Sequence, residues 1–150
     1  MGKGPLPIEA DELYDYLLTR KSLHLATLNP DGSPHLATMW FGLIDHDIVM
    51  WTQRSSVKAR NLRNDPRITC LVESGDDYSE LKGLTVSGRV ELVEDDESML
   101  RIGEAIISRN YPEATMPDHR KMALSGLRVG IVVRPEHWAS WDFARTAKHR

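Results

Sequence analysis

The sequence predicts a mostly β protein with interspersed helices, its antiparallel strands closed into a small closed or split β-barrel. Three observations carry that expectation. Residues 22–52 read as three strands joined by short turns, which is the pattern of an antiparallel meander. Leu84–Val93 is a long alternating run, and two more strands are expected around Leu127–Arg134 and His137–Asp142. A set of about seven such strands is most economically curled on itself, because closure removes exposed sheet edges.

Each element has its own local justification. Ile8, Leu13, Tyr14, Leu17 and Leu18 fall roughly on one helical face, opposite Glu9, Asp11, Glu12 and Asp15, and acids in a first turn suit the helix dipole. Ser22–Leu28 alternates as a strand. Asn29-Pro30-Asp31-Gly32-Ser33 is turn chemistry, with proline fixing φ and glycine supplying a positive one. Pro34–Ile44 is expected as one strand, returned by Asp45-His46-Asp47 into Ile48–Thr52. Ser55–Arg63 reads as a serine-capped helix stopped by Asp65-Pro66. Arg67–Glu73 is a strand, residues 74–79 are a polar loop, and Gly88 predicts a bulge or bend in the run that follows. A helix is expected over Asp96–Arg109, with Met99, Leu100, Ile102, Gly103, Ile106 and Ile107 inward, and residues 111–125 form a broken segment with room for one short helix. The expected organisation is a single domain over residues 1–150, with 1–7 and 143–150 as flexible ends.

Composition narrows the function. Hydrophobic residues are 41% and charged residues 27% of 150, which suits one ordered globular unit. A net charge of −3, from 19 basic and 22 acidic residues, argues against a generic grip on nucleic acid. Apolar runs such as Ile131–Val133 are too short to span a bilayer, and Met1–Pro5 lacks a signal-peptide core, so no membrane span and a cytoplasmic location are expected. The single cysteine, Cys70, excludes an internal disulfide framework and reads as an inert core thiol. The six histidines lack HxH, HxxxH and HExxH spacing, so no metal site is expected, and P-loop, GxGxxG and GxSxG motifs are absent.

The stretch Trp51–Asn61 carries the chemistry. A strand there ends in hydroxyl and amide groups and runs into a helix N-terminus, where unpaired N–H groups and partial positive charge favour phosphate. Ser55 and Ser56 add hydroxyls, and Arg54, Lys58, Arg60 and Arg63 add cations spread over loop and helix. Taken alone, the same residues describe an ordinary serine-capped helix with solvated basic side chains. In His35–Phe41, small and hydrogen-bonding residues alternate with large apolar ones, so one face can build core while the other faces a flat ring. Trp138 and Trp141 are three apart and point to opposite faces of a strand, one of them expected in the core.

Placed in order, Ala26–His35, Met50-Trp51-Thr52, Ser56–Leu62, Asp65-Pro66-Arg67 and Gly83–Val90 resemble the flavin-binding split-barrel family of the pyridoxamine 5′-phosphate oxidases. The resemblance covers roughly Ile8–Asp142. Gly75–Gly83 and Ser140-Trp141-Asp142 are similar to the small members that use the deazaflavin coenzyme F-420. The resemblance implies an FMN-binding split-barrel fold and a homodimer with two cofactor sites at the subunit interface. It also implies coenzyme F-420, or alternatively FMN, as cofactor. Hydride transfer to a small-molecule substrate is the implied activity; a non-catalytic cofactor-binding or carrier protein is the other alternative. By position, Leu36, Ala37, Thr38, Met39, Trp40 and Phe41 would run along the ring, with Trp51 and Thr52 after it. Ser56 and Lys58 would hold phosphate with Arg60 and Asn61 nearby, and Tyr78 and Trp141 would approach from the partner chain. Val57 stands where the oxidase proper commonly has arginine, and its C-terminal arginine and histidine segment has no counterpart here. Oxidation of pyridoxamine phosphate itself is therefore not expected.

Overall fold

The computed structural model describes residues 4–148. Seven strands form one antiparallel sheet in the order β2-β1-β5-β6-β7-β4-β3: β1 (Ser22–Leu28), β2 (Pro34–Trp40), β3 (Gly42–Ile44), β4 (Asp47–Gln53), β5 (Arg67–Ser74), β6 (Lys82–Val93) and β7 (Arg128–Asp142). The sheet curls into a split half-barrel, and the alternation read from the sequence fills it. Leu23, Leu25 and Thr27 of β1 are buried while Ser22 and His24 are exposed. Cys70 and Val72 of β5, Leu84 and Val86 of β6, and Ile131 and Val133 of β7 complete the same interior.

Two strand boundaries differ from expectation. Pro34–Ile44 is not one strand. It breaks at Phe41, whose ring is fully buried and whose N–H donates to the Lys21 carbonyl at 3.1 Å. The physical reason is a change of partner: β2 pairs with β1 at one edge of the sheet, and β3 pairs with β4 at the other. Phe41 is thus the joint that carries the chain across the split. Conversely, the two expected final strands are one, β7. The bend falls where Ser87 pairs with His137 but Gly88 pairs with Pro135, leaving Glu136 unopposed. Gly88 is required there because a Cβ would lie 2.1 Å from the Arg134 carbonyl oxygen.

Among the described residues five α-helices decorate the sheet: α1 (Leu13–Leu18), α2 (Val57–Asn64), α3 (Asp96–Asn110), α4 (His119–Ala123) and α5 (Phe143–Lys148). α3 covers the outer side of β3, β4 and β7, where Val49, Ile102 and Ile106 make a second small core. The segment expected as a flexible C-terminal end is instead helical as α5, because it is stapled to the N-terminal segment. Leu6 N–H donates to Thr146 Oγ1 at 2.7 Å, Asp142 N–H donates to the Leu6 carbonyl at 2.7 Å, and Arg145 pairs with Glu9. Residues 1–3 and 149–150 of the expected ends lie outside the described residues. Neither Trp138 nor Trp141 joins the core, although they do face opposite ways. Trp138 is 37% exposed, and the half-buried Trp141 ring lies over Gly83. Among the described residues no helix is long and apolar enough to cross a membrane.

Candidate cofactor site

The N-terminus of α2 is built by the residues that cap it. Ser56 accepts the Ala59 N–H at 3.1 Å, and Thr52 Oγ1 donates to the same serine oxygen at 3.2 Å. With its oxygen engaged twice as acceptor, Ser56 keeps its own proton to donate outward. The first-turn N–H groups of α2 remain without helical partners. Lys58, half-buried, and Arg60, exposed, have no acidic partner among the described residues.

Behind this cap lies a small polar cluster. Asn61 is fully buried and donates through Nδ2 to Thr27 Oγ1 at 3.1 Å and Asn29 Oδ1 at 3.0 Å, yet its own carbonyl oxygen has no partner. His35 sits opposite Thr27 in the β1–β2 register, and its Nδ1 is likewise buried without a partner. Unpaired buried polar atoms are uncommon and costly. Asn61 and Lys58 share a helix face, three residues apart. The seat therefore gathers hydroxyl, ammonium and amide N–H donors, with the unpartnered Asn61 carbonyl buried behind them.

β2 leads away from that seat as an edge strand, one side of its backbone unpaired. Its burial alternates: Ala37 and Met39 turn toward the core, whereas Leu36 (72% exposed), Thr38 and Trp40 (44%) face outward. The backbone edge of β2 leaves a row of unpaired N–H and carbonyl groups beside the outward row of side chains. Two residues assigned to the ring by sequence are committed elsewhere. The Phe41 ring is core. The Trp51 indole is wedged under α3, where a Cβ on Gly103 would lie 2.8 Å from it, and the Arg128 guanidinium lies 5.2 Å from its centre. Alternation of small and large residues cannot reveal this, because only the tertiary position of α3 decides which face of β4 is covered.

The basic track is also shorter than its residues suggest. Arg54 is held by Glu94 at 2.9 Å, and Arg63 donates to the Arg54 carbonyl at 2.9 Å. Lys58 and Arg60 are left to meet an anion. Tyr78 is 73% exposed and rests edge-on against Phe143. Trp141 is on the outer face of β7, separated from β2 by β6, β5 and β1. Four inter-strand spacings of about 4.8 Å separate it from β2, ~19 Å measured along the curved sheet.

A groove of about 350 Å³ lies away from α2 on the outer sheet face, lined by Ala26, Leu28, Arg67, Thr69, Ser87 and Arg89. Its cations are paired: Arg67 forks onto Asp65 at 2.7 Å and holds that carboxyl down to about 2, and Arg89 stands 3.8 Å from Glu136. Burial pushes the Cys70 thiol up to about 12, which makes it unreactive, as its place in the strand suggested. No metal-holding cluster of histidine, cysteine or acidic residues occurs among the described residues.

The fold defines a split-barrel protein whose α2 helix begins at a serine cap on the end of β4. The sequence pattern of the pyridoxamine 5′-phosphate oxidase family matches residues 10–142, and the chain belongs to that family, whose members include flavin-binding oxidoreductases. Among solved structures it is similar to a conserved hypothetical protein of Mycobacterium tuberculosis, at 33% identity and a TM-score of 0.86, over 98% of this chain and 92% of that one. It is similar to an F420 reductase at 30% identity and a TM-score of 0.62, over 85% of this chain and 96% of that one. A FAD-binding protein of Mesorhizobium loti shares the fold at 18% identity and a TM-score of 0.68, over 93% and 96% of the two chains. No curated protein matches the chain.

Proposed function

We propose that this protein is a coenzyme F-420-dependent oxidoreductase that works as a homodimer on a small organic acceptor. The observation that carries the reading is the α2 seat beside the free edge of β2, with its orphaned Asn61 carbonyl. Lys58, Ser56 and the first-turn N–H groups would hold a phosphate, with Asn61 bracing the helix start from behind through Thr27 and Asn29. Ala37 to Met39 would flank the ring through their backbone, with Leu36, Thr38 and Trp40 on its outer side. Thr52 holds Ser56 in place, and Arg60 stands ready for the anionic tail. Bound there, the reduced deazaflavin supplies a hydride. The residues of this chain would position it and exclude water around it. The similar F420 reductase supports the reading at 30% identity.

The outer sheet face supports the dimer reading. It presents Ala26, Leu28, Leu36 and Ala139 beside charges that are already paired, and it carries Trp141 four strands away from β2. One observation favours FMN as a second reading. With Arg54 and Arg63 tied up internally, the remaining charge is compact, which suits a single terminal phosphate. Against it, Val57 supplies no second cation next to Lys58. Side-by-side fluorescence titrations of the full-length protein decide between them. Tighter binding of the oxidised deazaflavin is the expected result, and tighter binding of FMN overturns the choice.

A further inference from the structure

Three side chains from three neighbouring strands form a file on the outer sheet face, ending at the β2 edge. His24 of β1 stands directly opposite Thr38 of β2 in the register, and its Nδ1 lies 3.1 Å from the Thr38 hydroxyl. On its other side His24 is opposite Leu71 of β5, and two residues further along that strand the Glu73 carboxylate lies 3.9 Å from His24 Nε2. Thr38 belongs to the outward row of β2 and ends the file next to the unpaired backbone edge. Other charged groups stand at this end of the sheet. Burial raises the pKa of the Tyr16 hydroxyl of α1, and Arg20 and Glu73 act on it in opposite directions, so both are near it. Lys82 pairs with Asp142 at 3.7 Å. β2 itself adds only His35, on the inward side of the strand.

Donor counting gives the file its chemistry. A carboxylate only accepts, so Glu73 favours the proton on Nε2 of the neutral imidazole. Nδ1 is then an acceptor and takes the single Thr38 proton, which leaves only lone pairs on the outward side of that hydroxyl. In the protonated imidazole both nitrogens donate. Nδ1–H then donates to Thr38 Oγ1, and the Thr38 proton is free to point away from His24 at the β2 edge. One proton on His24 thus turns Thr38 from an acceptor into a donor.

We propose that Thr38 reads the pyrimidine edge of the bound ring, and that His24, held by Glu73, is the positioning residue that makes it a donor by taking up a proton. The proposal rests on the cofactor reading above and adds how the ring is recognised. The pyrimidine edge of an oxidised deazaflavin or flavin carries carbonyl oxygens and bare ring nitrogens, with a single N–H. A donor at Thr38 pairs with that edge, whereas an acceptor there meets mostly lone pairs. Oxidised cofactor and a proton on His24 therefore favour one another, and by linkage binding takes up a proton. Affinity is then higher below the pH range in which an imidazole loses its charge than above it. Lysine and arginine keep their charge throughout that range, so the α2 seat adds no such slope. No spacing rule links residues 24, 38 and 73; strand pairing alone brings them into line.

The test titrates oxidised deazaflavin into the full-length protein at pH 6 and pH 8, read by cofactor fluorescence. Calorimetry at pH 7 in two buffers of different ionisation enthalpy counts the protons taken up. Wild type is expected to bind about three- to tenfold more tightly at pH 6, the range one hydrogen bond supplies, with net proton uptake. His24→Ala and Thr38→Val are expected to lose that slope and the uptake, and Thr38→Ser is expected to keep both. Glu73→Gln is expected to move the wild-type transition to lower pH, because a carboxylate favours the charged imidazole. A merely structural role for His24 would move none of these. Imidazole nitrogen NMR shifts of the free protein at pH 8 are expected to show His24 as the Nε2–H tautomer. A His24→Ala protein with the pH dependence of wild type overturns the proposal, and so does the Nδ1–H tautomer. FMN, which has the same pyrimidine edge, is the second probe. If FMN alone binds, the deazaflavin reading fails, and its pH dependence in wild type against His24→Ala still decides the role of the file. If neither ring binds, both readings fall. Circular dichroism melts confirm that each variant is folded.

Discussion

Single side chains set the sharpest expectations. Lys58 is half-buried without an acid to pair with, so its charge is available to an anion at little structural cost. Lys58→Ala should weaken cofactor binding by about 1.5–3 kcal/mol, the range for a hydrogen bond to a charged group, and leave the melting temperature near wild type. Equal cofactor affinity in a fluorescence titration would move the phosphate seat elsewhere. Ser56→Ala should weaken binding less, because the helix N–H groups remain. It should also cost about 1 kcal/mol of stability as a lost N-cap. Arg109 is of the opposite kind. Burial lowers its pKa from the ordinary arginine value, and its guanidinium donates to four carbonyls at the end of α1 and the Phe41 joint. Arg109→Met should destabilise the fold by about 2 kcal/mol through those unsatisfied acceptors. A urea midpoint shift corresponding to less than about a quarter of that would mean water replaces the guanidinium.

Elements depend on close approaches that a few glycines permit. α3 can lie on β4 only because Gly103 leaves room for the Trp51 indole, 2.8 Å from where a Cβ would stand. Gly103→Val should cost about 1–3 kcal/mol by overpacking and change the near-ultraviolet dichroism of the tryptophans; an unchanged spectrum and midpoint would show that α3 yields freely. The link between α2 and β5 is electrostatic. Asp65 ends α2 and is gripped by Arg67, which lowers its carboxyl to about 2. A folded-state pKa below the unfolded value of about 3.9 means this contribution is present above about pH 4 and disappears as pH falls toward 2. Stability measured by urea across that window should fall less steeply in Asp65→Asn than in wild type, and parallel curves would remove Asp65 from the acid response.

At the scale of the whole molecule the outer sheet face is the open question that association answers. Its middle rows of Leu71, Thr85 and Ala139, and the four strands between Trp141 and β2, lead to the expectation of a homodimer at micromolar concentration. Sedimentation showing a stable monomer would end both the dimer and the shared site. Cofactor affinity should also fall as salt rises, because Lys58 and Arg60 lie where solvent screens them. Salt-independent titrations would place the anion contacts in a drier setting than α2 provides.

Local chemistry in the sequence determined the strand alternation of β1, β5 and β6, the serine cap of α2, its stop at Asp65-Pro66 and the need for Gly88. Each depends on neighbours within a few residues, which is the range that periodicity and capping rules see. The same rules located Ser56, Lys58 and Asn61 at a helix start. The tertiary structure decided what those rules cannot reach. Phe41 had to turn inward because the chain changes sheet edges there, and Trp51 was covered because α3 returns over β4. Arg54 lost its freedom to Glu94, forty residues away, and residues 143–148 became helix because Leu6 and Glu9 hold them. Which face of a strand is covered, and which charge is already paired, depends on contacts between residues far apart in the chain.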